Sequence, residues 1–230
     1  MSEQEDENMF DEEAFNKFLI DNNVVGFFET PIILKSGRQS YWYANCRTLS
    51  NTFENLDKLA DYVISFAKQE DLEFDYVYGV PEGASKLAVV VNYKLGLSNP
   101  AQKIIIGRGK PKEHGVAKDK YFIGNVKEGD KVLVLEDVTT TGGSLLSAVK
   151  QLREAKVNIV GAVGLVNRME KDEHGRSVED VMHQNQVPYY AIGNALRLLP
   201  FAREKYQPAA GIVQQVEQEF QKYGVKLLNW

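Results

Sequence analysis

The stretch KVLVLED, residues 131 to 137, most narrows what this chain can fold into. Val132, Leu133, Val134 and Leu135 follow one another with no polar residue between them. A strand that is apolar on both faces has to be covered on both faces, as in a parallel sheet flanked by helices. Further runs of the same kind occur at 74–80 (FDYVYGV), 103–107 (KIIIG), 158–166 (NIVGAVGLV) and 187–192 (VPYYAI). Helical segments are expected between them. Phe53, Leu56, Leu59, Val63 and Phe66 recur at helical spacing, residues 84–96 read as a helix stopped by Gly96, and residues 143–156 as another. Alternating strands and helices predict an α/β fold with a mostly parallel central sheet. Roughly the first 50 and the last 35 residues lie outside this alternation. They are expected to be appended elements, with residues 14–50 and C-terminal elements forming a small hood on a single domain spanning 1–230.

The 230 residues suffice for one domain with a sizeable core. Hydrophobic residues make up 43% and charged residues 26%, a soluble globular balance. No apolar run approaches the ~20 residues of a membrane span. The opening MSEQEDENMFDEE carries seven acids and no base, unlike a secretory signal. Residues 1–13 are expected to be a solvated, disordered leader. The single cysteine, Cys46, excludes an internal disulfide and fits a cytoplasmic protein. A net charge of −5 argues against broad attraction to nucleic acid.

The strand at 131–137 ends on two acids, Glu136 and Asp137, and runs into Val138, Thr139, Thr140, Thr141, Gly142, Gly143 and Ser144 before a helix. Ligands of open parallel sheets bind at the carboxyl ends of the strands. Side-by-side carboxylates accept hydrogen bonds from a vicinal diol such as that of ribose. A glycine-rich turn at a helix start directs backbone N–H groups at an anion. Together they read as a site for a 5-phosphoribosyl group. The competing reading is a strand–turn–helix junction whose Thr or Ser merely caps the helix, but capping leaves the two acids without a purpose.

VLVLEDVTTTGG resembles the phosphoribosyl-pyrophosphate motif of type I phosphoribosyltransferases. LKSGRQSYWYAN (34–45), GRGKPKEHG (107–115) and LVNRME (165–170) resemble, in order and spacing, segments of the orotate phosphoribosyltransferases. The resemblance implies the type I phosphoribosyltransferase fold. It also implies transfer of a 5-phosphoribosyl group from phosphoribosyl pyrophosphate to orotate, giving orotidine 5′-monophosphate for pyrimidine synthesis. By the same resemblance Glu136 and Asp137 hold the ribose hydroxyls, and Val138 to Ser144 wrap the 5-phosphate. Lys35, Arg108, Gly109, Lys112 and His114 also bind phosphoribosyl pyrophosphate, with Arg108, Lys112 and His114 closing over the pyrophosphate, and Lys112 and Asp137 are the catalytic residues. Lys35, Tyr43, Ala44, Thr140 and Arg168 belong to the orotate side. A planar arginine fork suits the orotate carboxylate, although on residues alone Arg168 reads equally well as a surface arginine.

Residues 107–120 carry five Lys or Arg, three glycines and almost nothing apolar. Such a loop reads as a solvated basic segment or as a lid; the resemblance implies a lid over the leaving pyrophosphate. Two positions depart from the family's pattern. Gly109 stands where a lysine usually follows the first lid arginine, and Glu82 and Gly83 stand where many members have a Tyr-Lys pair. The resemblance further implies magnesium, held mainly by substrate oxygens and with no firm protein ligand, and a homodimer whose lids are shared between subunits. Orotate is already an anion, so no covalent nucleophile is needed. Two alternatives remain: a purine or uracil transferase, for which Arg168 would have no carboxylate to read, and a non-catalytic sensor, for which the basic lid would have no role.

Overall fold

A computed structural model describes residues 9–114 and 120–230. Four parallel strands form the central sheet in the order β3 (Tyr76–Gly79), β6 (Lys131–Thr139), β7 (Asn158–Asn167) and β8 (Tyr189–Asn194). The continuous apolar runs are explained by burial on both faces. Val77, Leu133 and Leu135 join one core with helices α2 (Phe53–Gln69) and α3 (Ser85–Gly96). Tyr76, Tyr78, Val132 and Val134 join another with α4 (Gly143–Glu154) and α5 (Val178–Gln184). The helices after the neighbouring strands β3 and β6 therefore go to opposite faces. That divergence opens a crevice at the carboxyl ends of the two strands, where open α/β sheets bind ligands.

β3 is an edge of this sheet, and its exposed backbone groups need partners. Asn92 of α3, fully buried, supplies them: its side chain accepts from the Val77 N–H and donates to the Val77 carbonyl, both at 2.8 Å. The segments outside the alternation pack onto the sheet. Helix α1 (Glu12–Asp21) lies against α6 (Ala195–Tyr206) and β8. The hairpin of β1 (Val25–Ile33) and β2 (Gln39–Ala44) packs against α6 and α7 (Ala210–Tyr223). A 3-10 turn, Cys46–Asn51, leads from β2 to α2.

Some expectations change in detail. Asp11 caps α1 and Glu12 and Glu13 open it, so the last part of the acidic leader is helical; residues 1–8 lie outside the described residues. Acids in a first turn favour the positive end of the helix dipole. KIIIG is not a strand of the main sheet: only Ile106–Gly107 pair, as β4, with β5 (Phe122–Ile123) in an antiparallel ladder. Ile105 is buried while Ile104 is largely exposed. Phe53 keeps the helical spacing of α2 but is 83% exposed, so it is not part of the core.

Asn92→Ala leaves both Val77 backbone groups unpaired in a dry place. It should lower stability by roughly 2–4 kcal/mol, read as a shift of the urea midpoint at constant slope. A loss below about 1 kcal/mol would show that the edge finds other partners.

Candidate functional site

The crevice is a cleft of about 600 Å³ lined by the ends of β6 and β7, the β3–α3 turn, the start of α4 and the β1–β2 hairpin. A cavity of similar size, about 620 Å³ between α6, α7 and Trp230, gathers no comparable set of acids and hydroxyls. Lys35, Tyr43, Ala44, Thr140 and Arg168 all line the cleft, together with Glu136 to Ser144.

Glu136 and Asp137 sit near the carboxyl end of β6, as their place after the apolar run requires. Glu136 is 6% exposed. Its carboxyl is pushed up from 4.5 to about 9, first by burial and next by the charge and hydrogen bond of Asp137; Lys35 opposes the shift. The Asp137 carboxyl also meets Arg47 of the 3-10 turn, whose Nε lies 3.5 Å from its Oδ2. Gly83 makes this possible: a Cβ there would stand 2.3 Å from the Asp137 carboxyl.

The turn after the acids forms an anion cradle. Gly142 precedes α4 with φ of 78°, a left-handed conformation that glycine adopts without strain. No side chain caps α4, so its first-turn N–H groups face the cleft without a capping partner from its own loop. Lys35 reaches across from the hairpin and donates to Ser144 Oγ at 2.9 Å. The Thr139 hydroxyl is hydrogen-bonded to that of Tyr189 on β8 at 2.6 Å, which anchors the loop from behind. Burial pushes the Tyr189 phenol up, so it remains a neutral partner.

Arg168, just beyond β7, is only 2% exposed. Its Nε donates to Glu170 at 2.8 Å and its Nη2 to Ser40 Oγ at 3.0 Å, while Nη1 lies 3.5 Å from the Trp42 carbonyl. The guanidinium stacks on the Trp42 ring at 3.8 Å. Ser40 is 2.7 Å from Oε2 of Glu219 on α7, and Oε1 of the same carboxylate accepts from the Tyr41 N–H at 2.5 Å. Burial is the main cause that raises the Glu219 carboxyl.

Sequence reasoning missed Glu219 and Arg47. Val213, Val216 and Phe220 mark the buried face of α7, and Glu219 lies three residues after Val216; an acid in that row was the available signal. Arg47 sits in an irregular turn and carries no local signal. The structure does not bring the lid residues into the cleft: Arg108, Gly109, Lys112 and His114 are absent from its lining. The N–H of Arg108 pairs with Tyr121 and that of Lys112 with Lys120, extending the β4–β5 ladder. Residues 115–119 of the lid lie outside the described residues. Gly109 lies next to Glu82, whose Oε1 would be 3.2 Å from a Cβ at that position.

The raised carboxyl of Glu136 links stability to pH. A group whose folded value exceeds its unfolded value contributes stability that is present below the unfolded value and lost as pH rises through the folded one. For Glu136 that window runs from about 4.5 to about 9. Glu136→Gln, which mimics the protonated acid, should melt with wild type at pH 4 and above wild type at pH 8–9. Parallel melting curves across that range would remove the buried, protonated carboxyl.

The phosphoribosyl transferase domain profile matches residues 51–197. The chain is 40% identical over 138 residues to the orotate phosphoribosyltransferase of Pyrococcus furiosus, covering 60% of this chain and 72% of that protein. It is 36% identical over 178 residues to that of Thermococcus kodakarensis, covering 75% and 85%. The crystal structure of the Francisella tularensis orotate phosphoribosyltransferase is similar with a TM-score of 0.68 and 26% identity, covering 92% of this chain and 99% of that one.

Proposed function

The chain belongs to the orotate phosphoribosyltransferases, and from that membership together with the cleft we propose how its residues share the work. The reaction transfers the 5-phosphoribosyl group from phosphoribosyl pyrophosphate to orotate. The observation that carries the assignment of roles is the pair Glu136 and Asp137 beside an uncapped helix start, facing an oriented arginine across one cleft. The 5-phosphate sits on the N–H groups and hydroxyls of Thr139 to Ser144, with Lys35 beside it. The ribose diol donates to Asp137 and exchanges hydrogen bonds with the protonated Glu136. Orotate lies between Tyr43, Ala44, Thr140 and Arg168. A guanidinium has five N–H donors; three of those of Arg168 have partners, which leaves two for the orotate carboxylate.

As the C1–O bond breaks, its electron pair leaves with pyrophosphate; N1 of orotate bonds to C1 and the N1 proton is released. Positive charge develops on the ribose ring, as in glycoside hydrolysis. Catalysis then rests on alignment and on neutralising the leaving group, to which Lys112, Arg108 and His114 of the lid contribute. Magnesium prefers oxygen donors such as those of phosphates. Among the described residues no group of three or more metal-ligating side chains is gathered, so the ion would be held mainly by pyrophosphate and ribose oxygens. When bound, it offsets charge on the departing pyrophosphate. The protein acts as a cytoplasmic homodimer in this reading. Among the described residues no helix is long and apolar enough to cross a membrane.

The direct test follows orotate absorbance with phosphoribosyl pyrophosphate and magnesium, with adenine, hypoxanthine and uracil run alongside. Consumption of another base but not orotate would overturn the reading. Arg168→Lys keeps the charge but loses the fork, and should raise the Michaelis constant for orotate about tenfold or more while that for phosphoribosyl pyrophosphate changes little. Equal changes in both would show that Arg168 only supports the pocket.

A shared lid has its own signature. A Lys112→Ala chain keeps a good pocket but donates a defective lid, and an Asp137→Asn chain does the reverse. Random exchange makes half the dimers mixed, each with one intact site, so about a quarter of wild-type activity should return on mixing. Demonstrated exchange without recovered activity would show that each lid serves its own site.

A further inference from the structure

We propose that Arg47 is a further cation, beside those of the lid, that receives the pyrophosphate of the donor substrate. This inference rests on the transferase reading above and adds a residue to it. In phosphoribosyl pyrophosphate the 1-pyrophosphate and the two ribose hydroxyls lie on the same face of the sugar ring. The 5-phosphate is at the far end. With the 5-phosphate in the Thr139–Ser144 turn and the diol on Glu136 and Asp137, the pyrophosphate must lie beside the carboxylates on the side away from that turn.

The described cleft residues that meet the Asp137 carboxyl from outside β6 are Arg47 and Gly83, and Pro81 and Glu82 precede Gly83 in the cleft lining. Arg47 is the cation among them. Glu82 repels a polyanion, and Gly83 offers no side chain. Of the other two cations lining the cleft, Lys35 lies at Ser144 in the phosphate turn and Arg168 is held by Glu170 and Ser40.

Arg47 is held in a way that substrate can undo. Its side chain is 59% exposed, against 15% for Asp137. Its contact with Asp137 is long, at 3.5 Å, and its Nη2 donates to the Tyr43 hydroxyl at 3.2 Å. Exposed ion pairs of this kind contribute little. The ribose hydroxyls replace the guanidinium as donors to Asp137. The freed guanidinium is then beside the pyrophosphate and matches its oxygens as a fork. The same side chain thus balances Asp137 in the empty cleft and the leaving group in the filled one.

The test uses the intact chain with Arg47→Gln and Arg47→Lys, and two probes measured by calorimetry. Magnesium pyrophosphate reports the proposed contact. Ribose 5-phosphate has the diol and the 5-phosphate but no pyrophosphate. Arg47→Gln should weaken pyrophosphate about tenfold or more and raise the Michaelis constant for phosphoribosyl pyrophosphate in step. Ribose 5-phosphate should bind no more weakly than to wild type, and the Michaelis constant for orotate should stay within about twofold. Arg47→Lys should recover most of the pyrophosphate binding. Unchanged pyrophosphate binding in Arg47→Gln overturns the proposal. So does equal weakening of both probes, which would mean that Arg47 only arranges Asp137. Failure of the wild-type protein to release pyrophosphate in the presence of orotate would instead overturn the transferase reading, because the calorimetry does not depend on turnover.

Discussion

The guanidinium of Arg168 is a full charge with almost no access to water, and much of the architecture around the cleft follows from keeping it there. Burying an ion costs several kcal/mol unless paired and hydrogen-bonded. Here the partners come from three separate parts of the chain. Glu170 follows β7, Ser40 and the Trp42 ring belong to β2, and Glu219 comes from α7 through Ser40. The hairpin and the C-terminal helix are therefore not optional additions to a sheet that could bind its ligand alone. They supply the Ser40–Glu219 link and the aromatic face that, with Glu170, fix where the arginine fork points, and a fork is useful only when its direction is fixed.

At the other acid-lined end of the cleft the same physics runs in the opposite direction. Lys35 does not offset the burial of Glu136, so burial and the neighbouring Asp137 keep it protonated well above the ordinary carboxylate range. A cleft meant for a highly charged donor benefits from this. Two ionised carboxylates side by side would repel the incoming phosphates. One neutral carboxyl and one carboxylate balanced by Arg47 present a diol with a donor and acceptors at a smaller electrostatic penalty. Gly83 belongs to this arrangement, since only a residue without a side chain leaves room for the Asp137 carboxyl.

How far all this could be read from the sequence depended on whether the cause was local. β6, β7 and β8 and helices α2 and α4 announce themselves through apolar runs and helical spacing, because double-sided burial leaves a mark on consecutive residues; α3, rich in valine, is legible only by its length and the stop at Gly96. The cradle from Thr139 to Ser144 is legible for the same reason: its chemistry is contiguous. KIIIG looked like a core strand because composition does not say whether a short apolar run finds a neighbour in the main sheet; Ile106 and Gly107 pair with Phe122 and Ile123 instead. The depth of Arg168 was not legible, since the residues that bury it lie 126 and more positions away. Glu219 acts on Ser40, 179 positions away, and Arg47 of the 3-10 turn acts on Asp137 of the distant strand β6, and no window of sequence contains both partners.

The segment from Lys35 to Arg47 meets the rest of the domain through polar links of unequal strength: Lys35 to Ser144, Arg38 to the Lys171 carbonyl and Glu170, Arg168 to Ser40, and Arg47 to Asp137. The Arg168 link is buried and the Arg38 contacts are part-buried. In the proposed reading the Lys35 and Arg47 links end on the groups that substrate needs, the phosphate cradle and the ribose carboxylate. On that reading substrate does not enter a gap between hood and sheet so much as take over contacts that already hold the two together. A buried, permanent link in the middle and two exposed, exchangeable links at the ends let the cleft keep its register while its end contacts change partners. The positional precision the reaction requires is thus carried by the contacts that substrate cannot displace.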